Sequence, residues 1–357
     1  MYDGAAMVRA ADRPSGNGPM TLRDVARRVG IHPATASRAL NESTRHLVSA
    51  ATATRVTEAA IELGYTPNSI ARSLKTSRSL TVGVILPDLT NPLFPPMVRG
   101  IEDALAPAGF TALIANTDND QVRARSVVQA LRLRQVDGWI SAVATLHDHL
   151  FTDAGPPLVL LNRQDEEGTP AVVGDDRGGI EQTVDHLVEL GHRRIAYAAG
   201  PQAISTGSAR YAAYVAVMTA RGLSLDPELV RFGASFSERQ GARALAELLD
   251  AGGDFTAVMA GNDLMALGCY ETLAERGLRC PEDISVVGFN DMHFADKFAP
   301  PLTTVRIPHH EMGLRAAQQL LAQIEGATSG VNPIVLPAQL VVRSSTAPPS
   351  RRGGRRH

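Results

Sequence analysis

The sequence has little cysteine, few aromatic residues and no long apolar run. Its two cysteines, Cys269 and Cys280, do not have the spacing of paired metal ligands, so we predict reduced thiols. Residues 1–19 are polar and lack the apolar core of a signal peptide, and no other stretch is long enough to span a membrane. These absences predict a cytoplasmic protein with no membrane partner.

Motifs typical of enzymes and metalloproteins are also missing. Gly252 and Gly253 are not followed by the glycine and lysine of a phosphate-binding loop, and no serine lies in a nucleophile elbow. His147 and His149 lie two residues apart in a polar loop without a cysteine partner, which is weak evidence for a metal site. We therefore predict that the protein is not an enzyme and has no metal or other cofactor.

Length and charge divide the chain into unequal parts. At 357 residues it is too long for one ordinary domain. Its formal net charge of −2 hides an asymmetry, because residues 1–80 carry eleven Lys/Arg against six Asp/Glu, which is +5 and leaves −7 for the remainder. A basic first part on an acidic body predicts that only this part contacts nucleic-acid phosphates, the alternative being a solvated charged surface.

Residues 21–41, TLRDVARRVGIHPATASRALN, have the pattern of two short helices joined by a tight turn. Thr21 and Asp24 have the spacing of a capping box, and Gly30 ends the first helix. Pro33 suits the first turn of a second helix, Pro33–Asn41, which is narrow enough to enter a DNA major groove. The residues predicted to be buried in these two helices are Leu22, Val25, Ala26, Val29, Ala36, Ala39 and Leu40. The pattern predicts a helix-turn-helix.

Further segments extend this pattern into a family resemblance. They are a third helix, Ala50–Leu63, capped by Ser49, and the motifs Val48-Ser49, Leu63-Gly64-Tyr65, Pro67-Asn68 and Ala71-Arg72-Ser73-Leu74. With the helix pair they resemble the DNA-binding headpiece of the LacI/GalR family of bacterial transcription regulators. The resemblance implies a headpiece at 20–66 and a hinge at 67–79, between a disordered extension (1–19) and a large core.

Outward residues of the second helix are the candidates for reading DNA. Arg38 has the fork geometry to hold guanine or phosphate, and Ala34 could contact a thymine methyl group. His32 departs from the family, where a small hydroxyl residue commonly caps this helix. In the hinge, the resemblance assigns Leu74 to a wedge in the central minor groove, whereas the alternative is a simple linker. The predicted DNA-binding residues are Thr21, His32, Pro33, Ala34, Thr35, Ser37, Arg38, Asn41, Arg72, Leu74 and Lys75.

From residue 80 to 346, continuous apolar runs alternate with helical patterns, which predicts an α/β fold with doubly wound parallel sheets. The family resemblance implies two lobes similar to periplasmic sugar-binding proteins, with the chain crossing between them three times. We expect the first lobe at about 80–176 plus 306–327 and the second at about 177–305 plus 328–346. Residues 347–357 form a basic tail that we expect to be disordered. Tetramers of the family that the chain resembles use an appended helical zipper, so the resemblance implies a homodimer where the tail has no leucine heptad.

Ligands of doubly wound folds bind at the carboxyl ends of the strands. Polar and aromatic residues follow several predicted strands there, and Asn, Asp and Arg beside aromatic rings suit polyol recognition. The predicted effector contacts are Asp88, Phe94, Asn162, Arg163, Arg210, Phe236, Asn262 and Asn290. The alternatives are core packing for the two phenylalanines and helix capping for Asn262. Many family members carry Asp where this chain has Asn290.

These patterns together predict a sequence-specific DNA-binding transcription regulator. We expect a repressor that binds a double-stranded, pseudo-palindromic operator as a homodimer and responds to a small molecule, a sugar or sugar derivative. A solute-binding protein and a sugar-acting α/β enzyme are the alternatives from other classes. The sequence does not distinguish an inducer from a co-repressor.

Overall fold

The computed structural model describes residues 20–41, 44–66, 78–143, 145–146, 150–151, 155–327 and 332–350. The chain forms two compact units, residues 1–77 and 78–357. The predicted extension (1–19), the part of the hinge that contains Arg72, Leu74 and Lys75, and the arginines of the tail lie outside the described residues.

Three α-helices form the described part of the first unit: α1 (Leu22–Val29), α2 (Pro33–Leu40) and α3 (Ala50–Glu62). The carboxylate of Asp24 accepts hydrogen bonds from the backbone N–H and the hydroxyl of Thr21, at 3.0 and 2.6 Å, so the predicted cap of α1 is present. Gly30 has φ +73°, a left-handed conformation that glycine adopts without strain, and it ends α1. Helix α2 ends at Leu40, one residue earlier than predicted, because the backbone of Asn41 is extended.

Small apolar side chains from all three helices form one core. The side chains that this core buries are Val25, Ala26, Ala36, Ala39, Ala53, Val56, Ala59 and Ala60. Leu22, Val29 and Leu40, which we predicted to be buried, are half-buried and pack against this core. Alanine at most contact positions lets the helices approach closely, and the outer surface of α2 stays free of this packing.

Two parallel-stranded sheets with flanking helices form the second unit. Its strands are β1 (Thr81–Leu86), β2 (Thr111–Asn116), β3 (Gly138–Ser141), β4 (Leu158–Leu161), β5 (Ala171–Gly174), β6 (Ile195–Ala199), β7 (Val230–Phe232), β8 (Ala257–Ala260), β9 (Ser285–Asn290), β10 (Thr303–Arg306), β11 (Ile334–Leu336) and β12 (Gln339–Val341). Its α-helices are α4 (Phe94–Leu105), α5 (Gln121–Leu133), α6 (Asp176–Glu189), α7 (Ser205–Ala220), α8 (Glu238–Asp250), α9 (Asp263–Glu275) and α10 (His309–Ile324).

The sheet orders define two lobes and confirm the predicted fold class. The first lobe has the order β11-β5-β4-β3-β1-β2 and the second has β12-β10-β9-β8-β6-β7. All described pairings are parallel except that of β10 with β12. The central strands are buried on both faces, whereas β2 lies at a sheet edge and is half exposed.

The chain crosses between the lobes at three places. The first lies at Asp175, between β5 and α6, and the second at Ile307-Pro308, between β10 and α10, as expected. The third was predicted near residues 327–333, with 328–346 in the second lobe, and this is wrong. Ile334–Leu336 pairs with β5 of the first sheet, so the chain crosses at Pro337-Ala338.

Helices α4 and α10 pack unusually closely in the first lobe. A Cβ on Gly100 would lie 2.0 Å from the carbonyl oxygen of His310, and one on Gly313 would lie 1.9 Å from that of Met97. Neither position has room for a side chain, and the two glycines hold α10 against α4. Among the residues that the structure describes, no helix is both long enough and apolar enough to cross a membrane.

Candidate functional site

A cavity of about 360 Å³ lies between the two lobes, where the carboxyl ends of both sets of strands meet. All eight residues predicted to contact an effector line it, four from each lobe. The first lobe contributes Asp88, Phe94, Asn162 and Arg163, and the second contributes Arg210, Phe236, Asn262 and Asn290. Its volume is within the range of small-molecule sites.

Arg210, on α7, is buried at the floor of the cavity and has a partner for each of its nitrogens. Its Nε donates to Asp176 Oδ1 at 2.7 Å, one Nη donates to the Gly261 carbonyl oxygen at 2.8 Å, and the other donates to Asn290 Oδ1 at 3.4 Å. The guanidinium also lies over the Phe289 ring, with 3.7 Å from Cζ to the ring centroid. Arg210 therefore connects three parts of the second lobe beneath the cavity.

Arg163 is also buried, but it has no carboxylate partner among the described residues. One Nη of Arg163 donates to the carbonyl oxygen of the neighbouring Asn162 at 2.6 Å, whereas its buried Nε has no hydrogen-bond acceptor within the described part of the chain. Burial lowers the pKa of Arg163 to about 10, with a further decrease from Arg210 and an opposing increase from Asp176. At neutral pH the guanidinium is charged.

Three asparagines present amide groups to the cavity from strand ends. Asn162 follows β4 with φ +54° and Asn290 ends β9 with φ +111°, and asparagine tolerates this left-handed region better than most residues. Asn262 follows β8, and its Oδ1 accepts a hydrogen bond from the Met265 amide at 2.9 Å. The capping role considered for Asn262 is therefore present, and the same side chain lines the cavity.

The two aromatic residues combine core packing with exposure to the cavity. Phe94 is buried in the main core at the first position of α4. Phe236 packs against Gly200 and Gly261, and a Cβ on Gly200 would lie 2.1 Å from its ring. The Arg210 Cζ lies 5.8 Å from the Phe236 ring centroid. The rings give the cavity apolar walls beside the polar groups, an arrangement that suits a ligand with both hydroxyl and C–H surfaces.

Other cavity residues were not predicted. Asp120 lies after β2 and caps α5, its Oδ1 accepting from the Arg123 amide at 2.6 Å, and it could have been found by the same strand-end rule. Thr206, in the first turn of α7, is buried, and its hydroxyl has no hydrogen-bond partner among the residues that the structure describes. Phe289 and Asp176 contact the Arg210 guanidinium without lining the cavity themselves, and no local sequence pattern predicts those contacts.

Two hydrogen bonds join the lobes beside the cavity. The Gln164 amide of the first lobe donates to Ser205 Oγ of the second lobe at 2.8 Å. The Leu146 amide donates to the Ala203 carbonyl oxygen at 3.0 Å. Because these bonds connect segments that line or flank the cavity, a change in the angle between the lobes would break or form them. The cavity can therefore be coupled to lobe movement.

A second candidate surface lies on α2 of the first unit. His32, Ala34 and Arg38 are exposed there, whereas Thr35 and Ser37 are half-buried. The Nδ1 of His32 accepts from the Ala34 amide at 3.2 Å, so histidine performs the capping role of the family's hydroxyl residue. Arg38 forms no ion pair with any residue that the structure describes, which leaves its guanidinium available. Thr21 and Asn41 are exposed beside this surface.

Comparisons with known proteins agree with this two-part architecture. Residues 21–68 match the bacterial regulatory proteins of the lacI family, and residues 184–346 match a periplasmic binding protein-like domain. The chain is 34% identical over 334 residues to the transcriptional repressor CytR of Escherichia coli (strain K12), covering 91% of this chain and 96% of that protein.

Two solved structures with similar folds show different kinds of complex. One is a complex of the transcriptional regulator CelR with cellobiose, with a TM-score of 0.70 and 34% identity over 91% of this chain and 99% of that one. The other is the lac repressor dimer bound to operator and the anti-inducer ONPF, with a TM-score of 0.80 and 29% identity over 92% of this chain and 100% of that one.

Proposed function

This chain belongs to the LacI family of bacterial regulatory proteins, and we propose that it represses transcription by binding a pseudo-palindromic operator as a homodimer. The observation that carries this proposal is the headpiece, whose α2 exposes Arg38 and Ala34 on a rigid three-helix support. Two such helices related by a two-fold axis would read two half-sites of an operator. The lac repressor structure, a dimer on its operator, supports this assembly.

A small molecule in the cavity between the lobes controls DNA affinity. Support comes from the lining, in which arginine, asparagine and aromatic side chains from both lobes surround a space of ligand size. The cellobiose complex of CelR and the name of a relative, the ribose operon repressor of Halalkalibacterium halodurans, favour a sugar or sugar derivative. Such a ligand acts through its different affinity for the two lobe arrangements.

In this proposal each predicted residue has one of two roles. Thr21, His32, Pro33, Ala34, Thr35, Ser37, Arg38 and Asn41 serve the DNA contact, together with hinge residues Arg72, Leu74 and Lys75 from outside the described part of the chain. The eight cavity residues serve the effector. The protein acts in the cytoplasm, where the chromosome is, and it turns over no substrate.

The two alternatives from other classes have less support. A solute-binding protein would explain residues 184–346 and leave the match at 21–68 without a role. A sugar-acting enzyme would need a catalytic acid and base. Turnover of candidate sugars by the purified chain would support this alternative. Activation in place of repression depends on the position of the operator.

Fluorescence anisotropy with DNA from the upstream region of the gene itself tests the proposal. We expect tight binding to one pseudo-palindrome, and a steep decrease in affinity with salt because lysine and arginine contacts release counterions. Arg38→Ala should weaken this binding. Arg243→Ala, which changes an exposed arginine on α8 of the second unit, should not. Equal affinity for the palindrome and for scrambled DNA would contradict the proposal.

A further inference from the structure

The buried charges at the floor of the cavity do not balance. Arg163 and Arg210 are both buried, and Asp176 is the carboxylate that interacts with them. Asp176 forms its ion pair with Arg210 and not with Arg163. One buried guanidinium, that of Arg163, is therefore left without an ion-pair partner among the residues that the structure describes, and a buried charge without a partner is costly.

Other acidic residues near the cavity are already engaged elsewhere. Asp88 accepts two hydrogen bonds from Thr90, at 2.8 and 2.6 Å, and Asp120 caps α5. Asp263 accepts from the Met292 amide and from the Thr304 hydroxyl. Each of these carboxylates is bound within its own local structure, and none forms an ion pair with Arg163 in the part of the chain that the structure describes.

Each of the two buried arginines has an asparagine beside it, whereas an aspartate there would supply a negative charge. Asn162 precedes Arg163 in sequence, and Asn290 lies across the cavity beside Arg210. An amide offers hydrogen bonds without a charge, so neither side chain neutralises a guanidinium. The Arg163 guanidinium is therefore a hydrogen-bond donor for which a bound ligand could supply the acceptor.

A second unpartnered donor lies near Arg163. The Gln164 amide donates to Ser205 Oγ at 2.8 Å, and the residues next to these two in sequence, Arg163 and Thr206, both line the cavity. The Thr206 hydroxyl and the Nε of Arg163 are both buried, and neither has a hydrogen-bond partner among the described residues. A guanidinium N–H and a hydroxyl that both lack acceptors form a receptor for an oxyanion.

We propose that the effector carries an anionic group, a carboxylate or a phosphate monoester, that accepts hydrogen bonds from Arg163 Nε and from the Thr206 hydroxyl. The inference rests on the proposed function, since it concerns the same cavity, and it narrows the ligand to an acidic sugar or a sugar phosphate. The hydroxyl groups of such a ligand face the asparagines and its C–H surface faces Phe236.

Isothermal titration calorimetry on the full chain at constant ionic strength tests the proposal with matched ligands. The probes are glucose, glucuronate and glucose 6-phosphate; ribose and ribose 5-phosphate; and inorganic phosphate alone. We expect at least one anionic probe to bind about tenfold or more tighter than its neutral counterpart. The glucuronate and phosphate arms distinguish the two sources of negative charge. Tighter binding of the neutral sugars, or no binding by any anionic probe, would overturn the proposal.

Variants assign the preference to these donors. Arg163→Gln should abolish the difference in affinity between the anionic probe and its neutral counterpart. Arg243→Gln, an exposed arginine on α8, is the matched control and should keep the preference. Thr206→Val is nearly isosteric, so we expect it to fold, and it should weaken anion binding. It tests the site independently in case Arg163→Gln does not fold. An anion preference unchanged in both site variants would refute the assignment.

Operator binding separates this proposal from the proposed function. An anionic probe that binds the cavity without changing DNA affinity would uphold the anion site and refute regulation through it. A neutral sugar that changes DNA affinity, while the acids neither bind nor change it, would uphold the regulator and refute the anion site.

Discussion

Arg210 and Asp176 form a buried ion pair at 2.7 Å directly after the first crossing between the lobes. Asp176 is the first residue of α6, and Arg210 lies on α7 and lines the cavity. Burial raises the pKa of Asp176, and Arg210 opposes that increase. A ligand that accepts a hydrogen bond from Arg210 would therefore contact the same side chain that binds Asp176, next to the first crossing between the lobes.

Arg210→Ala should affect both stability and ligand response. It leaves the Asp176 carboxylate buried without its partner, so we expect the free energy of unfolding to fall by roughly 3–5 kcal/mol in urea denaturation. At temperatures where the variant stays folded, operator binding should remain and the response of DNA affinity to ligand should be lost. Asp176→Asn, alone and combined with Arg210→Ala, completes a double-mutant cycle for the pair. A ligand dose–response equal to that of the native chain would remove Arg210 from the site.

Asp263 predicts a pH dependence of stability. Burial raises its pKa to about 7 from the model-peptide value of 3.8, although Thr304 and the Met292 amide donate to the carboxylate. Between these two values the folded chain binds a proton there that the unfolded chain does not. The free energy of unfolding therefore falls as the pH rises from about 4 to about 7, and this contribution is constant above pH 7.

Urea denaturation at several pH values checks this expectation. Asp263→Asn should lack the decrease, so the stability difference between variant and native chain should change by on the order of 4 kcal/mol across the range. Asp254→Asn, at an exposed position of the same lobe, is the control. The same pH profile for Asp263→Asn and the native chain would show that this carboxyl group does not bind the proton.

Ser49 stabilises the headpiece by capping α3. Its Oγ accepts a hydrogen bond from the Thr52 amide at 3.2 Å, which satisfies one of the free N–H groups at the helix start. Ser49→Ala should cost about 1 kcal/mol, which accelerates hydrogen exchange of α3 amides in the full chain roughly fivefold. Ser49→Asp restores the acceptor and should restore protection. Unchanged exchange in Ser49→Ala would mean that the cap contributes nothing to headpiece stability.

Strand ends account for what could be predicted of the cavity. Asn162, Asn262 and Asn290 each lie at the carboxyl end of a buried strand, and the parallel topology brings such ends together. The fold class, the helix-turn-helix and the buried faces of α1 and α2 followed in the same way from periodicity and capping residues.

Contacts between distant segments account for what could not be predicted. Asp176 and Phe289 hold Arg210 through contacts between distant segments that no local pattern encodes. The strands β7, β11 and β12 are only three residues long, which is too short for a clear apolar run. Missing β11 displaced the third crossing, because Ile334–Leu336 adds to the first sheet.

Leu74 in the hinge remains a prediction from the sequence alone. If it wedges between central base steps, Leu74→Ala should weaken binding to the operator far more than binding to nonspecific DNA, because it removes an apolar wedge and no charge. Anisotropy on both DNAs measures the two losses, with Lys75→Ala as the comparison that should weaken both. Equal losses for Leu74→Ala on both DNAs would contradict a minor-groove role.

Coupling between the cavity and DNA is the central claim, and thermodynamic reciprocity tests it most directly. Calorimetry would measure the affinity of a cavity ligand for the free chain and for the chain saturated with its operator. Anisotropy would measure operator affinity with and without that ligand. The account predicts that both affinities change by the same factor, above about fivefold, and that Arg210→Ala removes the change. A ligand that binds the cavity with equal affinity in the presence and absence of operator would contradict it.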